Sequence, residues 1–171
     1  MTFTLSPRSR GNMAGLHPDL IRIIEGAILT TTVDFGITRK AVRTAEEQAA
    51  LYAQGRTKPG PIVTSKDGYK SKSNHQPWAD GFGHAVDLTP YLDGKPILDD
   101  RAWELYPHIA SAMSKSAAAL GLAARLTWGG NWYEPMSRYG AAPSDMTAAI
   151  ERYKRNHPGP DMIDGPHYQL S

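Results

Sequence analysis

The chain divides its most chemically loaded residues between two stretches far apart in sequence. Ser73-Asn74-His75 and Gly83-His84-Ala85-Val86-Asp87 lie near the middle, while His167 of Asp164-Gly165-Pro166-His167 stands four residues before the end of the 171. Terminal segments fray unless something ties them down. A single site built from both stretches therefore requires the last residues to fold back against the middle of the chain. Ala85-Val86-Asp87-Leu88 reads as a short strand ended by Thr89-Pro90, and His167-Tyr168-Gln169-Leu170 as a closing strand.

There is no cysteine, so disulfides and thiolate metal sites are excluded and any transition metal must be held by His, Asp or Glu. His75, Asp87 and His167 make a chemically sensible zinc triad, because borderline nitrogen and oxygen donors hold that ion with three ligands and leave a fourth position open. Asp164, three residues before His167, then offers a carboxylate for proton transfer. Each residue also has a plainer reading. A carboxylate among apolar neighbours needs a cation, which for Asp87 could be an arginine as well as a metal. Asp164 fits a turn in Ile-Asp-Gly-Pro. Nothing in the spacing forces His75 and Asp87 together, and Asp80 is an alternative oxygen ligand.

The surrounding pattern predicts an α+β fold, a small antiparallel sheet with flanking helices. Residues 1–15 read as a flexible leader and 16–171 as one domain, without repeats or an interdomain linker. Pro18 opens a helix with Leu20, Ile21, Ile24, Ala27 and Ile28 at 3–4 spacing, and His17 helps to cap it. A strand is expected within Val33–Val42. Thr44 and Glu47 form a capping box for a helix that Gly55 stops. Residues 56–82 form a long loop. Asp93-Gly94 marks a turn, and a helix over 99–120 contains Pro107, which would kink or split it. Leu126-Thr127-Trp128 is a strand, 134–145 a loop, and Met146–Arg155 a helix broken by Pro158-Gly159-Pro160.

Composition narrows the function classes. Apolar residues make up 40% and charged residues 21%, an ordinary balance for a globular chain. No stretch is apolar enough to span a bilayer, so no stable membrane insertion is expected. Met1–Gly15 lacks the apolar core of a secretory signal, which places synthesis and folding in a cytoplasm. Arg56, Lys58, Lys66, Lys70 and Lys72 face a single acid, Asp67, between residues 56 and 72. This is either a solvated loop or a rim that attracts an anionic polymer. Only Tyr69 interleaves with these charges, so nucleic acid is not the expected partner.

In this order the motifs resemble the zinc D-alanyl-D-alanine carboxypeptidase and L-alanyl-D-glutamate endopeptidase family, and especially its phage endolysin branch. That family carries Ser-x-His, then Gly-x-Ala-x-Asp, and a late Asp-x-Pro-His. Leu16-His17-Pro18-Asp19-Leu20, the run from Arg43 to Gly60, and Trp128-Gly129-Gly130-Asn131-Trp132 are similar to the same branch. The resemblance implies a Hedgehog/D,D-peptidase-like fold, with zinc on His75, Asp87 and His167 and Asp164 as the catalytic carboxylate. Arg43 would stabilise the oxyanion, or else pair with Glu46 or Glu47. Gln48, Ser73 and His84 are candidate substrate contacts, although His84 on a regular strand would face away from Asp87. Where compact members carry the first histidine this chain has Asp80, so Gln76–Asp80 reads as an insertion. The resemblance implies a monomer that acts on peptidoglycan in the periplasm after a holin releases it from the host cytoplasm. A D,D-carboxypeptidase and an inactive metal-stabilised cell-wall-binding module are the alternatives.

Overall fold

The computed structural model describes residues 2–157 and 163–171. Its framework is a stack of helices against two small antiparallel sheets. Helix α2 (Pro18–Thr30) starts where expected: Pro18 needs no amide partner in the first turn, and the His17 side chain accepts the Asp19 N–H. Its Leu20, Ile23, Ile24, Ala27 and Ile28 are fully or almost fully buried. Each large aliphatic side chain there contributes about 1.5–3 kcal/mol of burial. They pack against α4 (Ala102–Ala119), which in turn contacts α5 (Pro143–Asn156). Pro107 does not split α4: it sits in the second turn and removes a single backbone bond. The breaker expected at Pro158–Pro160 lies outside the described residues.

The chain forms two sheets where one was expected. The larger has the order β2-β7-β5-β6, from β2 (Ala85–Asp87), β7 (His167–Leu170), β5 (Leu126–Trp128) and β6 (Asn131–Pro135). The smaller has the order β1-β3-β4, from β1 (Asp34–Gly36), β3 (Thr89–Leu92) and β4 (Lys95–Pro96). Thr89-Pro90 therefore does not end extended structure. The chain leaves β2 and enters the second sheet after Leu88 alone, and β3 returns to β4 through a turn at Asp93 and Gly94, both at positive φ. The strand expected in 33–42 is only β1. Part of the loop expected at 134–145 is instead the end of β6 and a 3₁₀ turn at Met136–Arg138. Among the described residues no helix is long and apolar enough to cross a membrane.

The flexible leader expected at 1–15 is also corrected. It contains α1 (Pro7–Asn12), and Leu5 and Met13 are buried in the core. Polar contacts hold it to the following segment: Ile37 N–H donates to Ser9 Oγ, Asn12 Nδ2 donates to the Ile37 carbonyl, and Ala41 N–H donates to the Asn12 carbonyl. Helix α3 (Ala45–Ala53) follows the capping box read from sequence, with both Thr44–Glu47 bonds made. Residues 56–82 contain no named helix or strand.

Candidate metal centre

Strands β2 and β7 pair so that Asp87 stands directly opposite His167. Cross-strand partners on one face are close enough for their side chains to meet, and His167 Nδ1 lies 3.1 Å from Asp87 Oδ1. His75 arrives from the loop. Its carbonyl accepts the Arg43 N–H at 2.8 Å and its Nδ1 donates to the Ala41 carbonyl at 2.8 Å. Ser73 shapes the turn that presents it, with Oγ accepting the His75 N–H. His75 Nε2 ends 3.3 Å from His167 Nδ1 and 3.4 Å from Asp87 Oδ1.

These three separations match the donor spacing of a tetrahedral ion. Zinc–ligand bonds of about 2.0–2.1 Å place neighbouring donors about 3.3–3.4 Å apart. The outer atoms are already committed. With His75 Nδ1 donating to Ala41, the neutral ring presents a lone pair at Nε2. His167 Nε2 is 3.1 Å from Gln169 Oε1, which also accepts from Asn74 Nδ2 at 2.7 Å, so His167 presents a lone pair at Nδ1. Asp87 Oδ2 takes a 3.0 Å bond from the Arg43 guanidinium. Two lone pairs and a carboxylate oxygen thus converge on one point, which calls for a cation, and each ligand has the outer partner that fixes ligating histidines and carboxylates. The donor set fits zinc.

Electrostatics separate the two aspartates. Burial opposes ionisation of Asp87, but the charges and hydrogen bonds of His75 and His167 outweigh it and hold the carboxyl well below its usual range. His167 is correspondingly raised: burial works against its charge, and the Asp87 hydrogen bond and charge prevail. Asp164 moves upward instead. Burial is the main cause and the Asp87 charge adds to it, with His167, His75 and Arg43 offsetting part. Tyr106, buried and facing Asp164 and Asp87, is pushed up to about 12 and stays a neutral phenol.

His75, Asp87, Asp164 and His167 line one open cleft of about 1380 Å³. Its rim carries Arg39, Lys40, Lys66 and Lys72. The carboxylate and the last ligand are locked to the β5–β6 turn: Asp164 N–H donates to the Gly129 carbonyl, Gly129 N–H to the His167 carbonyl, and Trp128 Nε1 to the Gly165 carbonyl. Both glycines are required by proximity. A Cβ on Gly129 would lie 2.3 Å from the Asp164 carbonyl oxygen, and one on Gly165 2.3 Å from the Tyr106 ring.

Three expected roles change. Arg43 lines the cleft but pairs with Asp87 and Gln48 rather than with Glu46 or Glu47. Gln48 is wholly buried, donating to Thr64 Oγ1 and the Lys66 carbonyl while accepting from Arg43; it braces the basic loop and does not face the cleft. His84 turns away from the cleft toward Asp80, 2.8 Å away, because the strand alternation carries it to the other face. Asp80 is therefore not a ligand of this centre. Asn74 and Gln169 were not singled out from sequence. Gln169 shares the His167 face two residues on, and that alternation was the available signal. Ala41 acts through its carbonyl and carries none.

The profile of the family described as Phage L-alanyl-D-glutamate peptidase matches residues 1–146. Among solved structures, the chain is similar to the Serratia marcescens L-Ala D-Glu endopeptidase ChiX, with a TM-score of 0.59 and 23% identity over 98% of this chain and 90% of that one. At that identity the likeness is one of fold, and it extends through β7. Asp164 and His167 lie beyond the family match.

Proposed function

The chain belongs to the phage L-alanyl-D-glutamate peptidase family, and we propose that it hydrolyses the L-alanyl-D-glutamate bond of peptidoglycan stem peptides with a zinc ion held by His75, Asp87 and His167. The observation that carries the zinc reading is the convergence of three ligand atoms 3.1–3.4 Å apart whose outer atoms are already bonded. When bound, zinc supplies a Lewis acid for the scissile carbonyl and lowers the pKa of the attacking water.

The remaining work falls to side chains of the cleft. Asp164 is the proton carrier: it takes the proton of the attacking water and passes it to the leaving amine, and its raised pKa brings it nearer the working pH. Arg43 holds the outer oxygen of Asp87 and keeps a fixed cation in the cleft wall where the oxyanion develops. The substrate carries a free carboxylate next to the scissile bond, and Arg39, Lys40, Lys66 and Lys72 give the rim the complementary charge. An ion serving only to stabilise a binding module would gain nothing from a buried, upshifted Asp164 beside it.

Digestion of purified peptidoglycan, followed by mass spectrometry of the fragments, tests the reading. Stems should be released with new L-alanyl C-termini and D-glutamyl N-termini, a chelator should stop the reaction, and zinc should restore it. Loss of terminal D-alanine from stems that stay attached would instead make the protein a carboxypeptidase.

A further inference from the structure

The described residues contain a second cluster with the same donor set as the first. One ring nitrogen of His17, one of His84 and a carboxylate oxygen of Asp80 lie within 4.8 Å of one another. We propose that His17, Asp80 and His84 form a second binding site for zinc or a similar borderline divalent ion, outside the cleft, which clips the 75–84 loop to the start of α2.

The backbone builds the pair of imidazoles deliberately close. His17 N–H donates to the Gly83 carbonyl at 2.9 Å and Gly83 N–H to the Gly15 carbonyl at 2.9 Å, so the chain entering α2 runs beside the chain entering β2. His84 is fixed from both sides, with its N–H on the Asn74 carbonyl and its carbonyl on Leu170 N–H. The two rings meet edge to face with centroids 5.0 Å apart. His17 Nδ1 already accepts the Asp19 N–H, which sets its tautomer and leaves Nε2 for an ion. Asp80 comes from the insertion between His75 and Asp87. One oxygen accepts the Phe82 N–H at 3.0 Å, and the other takes the His84 Nε2 proton at 2.8 Å.

Two imidazoles and one carboxylate select a borderline transition ion over calcium or magnesium, which take oxygen ligands. The histidine side chains are 15–19% exposed and that of Asp80 is 42% exposed, so an ion can enter from solvent on the Asp80 side. The ligand atoms are spread wider than at the first centre, and the His84–Asp80 hydrogen bond must open to admit the ion. The second site should therefore fill at higher free zinc than the first. Trp78 stands against His84, centroids 5.8 Å apart, and also lines the cleft, so it can report on the site optically.

Zinc titration by equilibrium dialysis tests the proposal independently of the peptidase reading. The wild type should saturate at two equivalents, the second binding more weakly. His84→Ala and Asp80→Asn should saturate at one, and His167→Ala should lose only the tighter equivalent. Asp80→Asn keeps an acceptor for Phe82 N–H, so its fold is preserved and its second Kd should rise at least tenfold. In the His167→Ala background, cobalt should quench fluorescence in proportion to occupancy, and Trp78→Phe should remove that quenching without removing cobalt. Saturation of the wild type at one equivalent, or two equivalents surviving in both His84→Ala and Asp80→Asn, would overturn the second site and leave the first untouched.

Discussion

Asp164 and Asp87 share a cleft and are driven in opposite directions, which makes the site's response to pH a matter of single residues. Asp164 has a raised pKa, so the metal-free folded state is favoured while it is protonated, and that stability is lost as pH rises through the raised value. Asp164→Asn should therefore raise the Tm of the chelated protein at neutral pH, with the gain vanishing in acid. The same change should leave zinc content intact and lower kcat/KM by about 10²–10⁴-fold. Wild-type kcat/KM should fall as pH drops through a pKa above the ordinary carboxylate value of 3.8, as Asp164 takes up its proton. Asp87 behaves oppositely: its lowered pKa gives stability present above the unfolded value and lost as pH falls through the folded one. Arg43 acts through Asp87, so Arg43→Met should weaken zinc binding by about 10–100-fold, measured by competition with a chelator.

At the scale of elements, what was legible in the sequence is what has both partners close in the chain or spelled out in a motif. The Thr44–Glu47 capping box is three residues long and formed as read. The apolar rhythm of α2 and the ligand motifs were equally direct. The Arg43–Asp87 pair spans 44 residues, and no local pattern announces it. The second sheet was hidden because its strands are two to four residues long and one begins Thr-Pro, which reads as a stop. His84 facing away from Asp87 was foreseeable from strand alternation, whereas its partnership with His17 depends on a backbone crossing that sequence does not show. The lock between the β5–β6 turn and the Asp164 segment makes its own prediction. Gly129→Ala meets backbone that cannot yield without moving Asp164. It should cost about 1–3 kcal/mol in urea unfolding and abolish most activity. Gly11→Ala, with open space around the added methyl in α1, should instead stabilise by about 0.5–1 kcal/mol.

At the scale of the whole molecule, the segment that looked dispensable is structural. Leu5 and Met13 enter the core, and Ser9 and Asn12 grip the 37–41 segment whose Ala41 carbonyl orients His75. Its helix escaped notice because six residues around a glycine give no amphipathic rhythm. Leu5→Ala should cost about 2–5 kcal/mol in urea unfolding, and deleting residues 1–13 should weaken zinc binding as well as stability, although none of those residues touches the ion. The position of β7 governs how the molecule comes into being. It follows every other strand in the chain yet lies between β2 and β5. The four-stranded sheet therefore cannot grow by adding neighbours in the order they are made, and β2 and β5 wait as unpaired edges for a distant segment. During synthesis 166 residues are made before His167, and the strand that closes the sheet is the one that delivers the third ligand. Fold and reactivity arrive in one event, so a nascent or truncated chain is harmless to the cell that makes it.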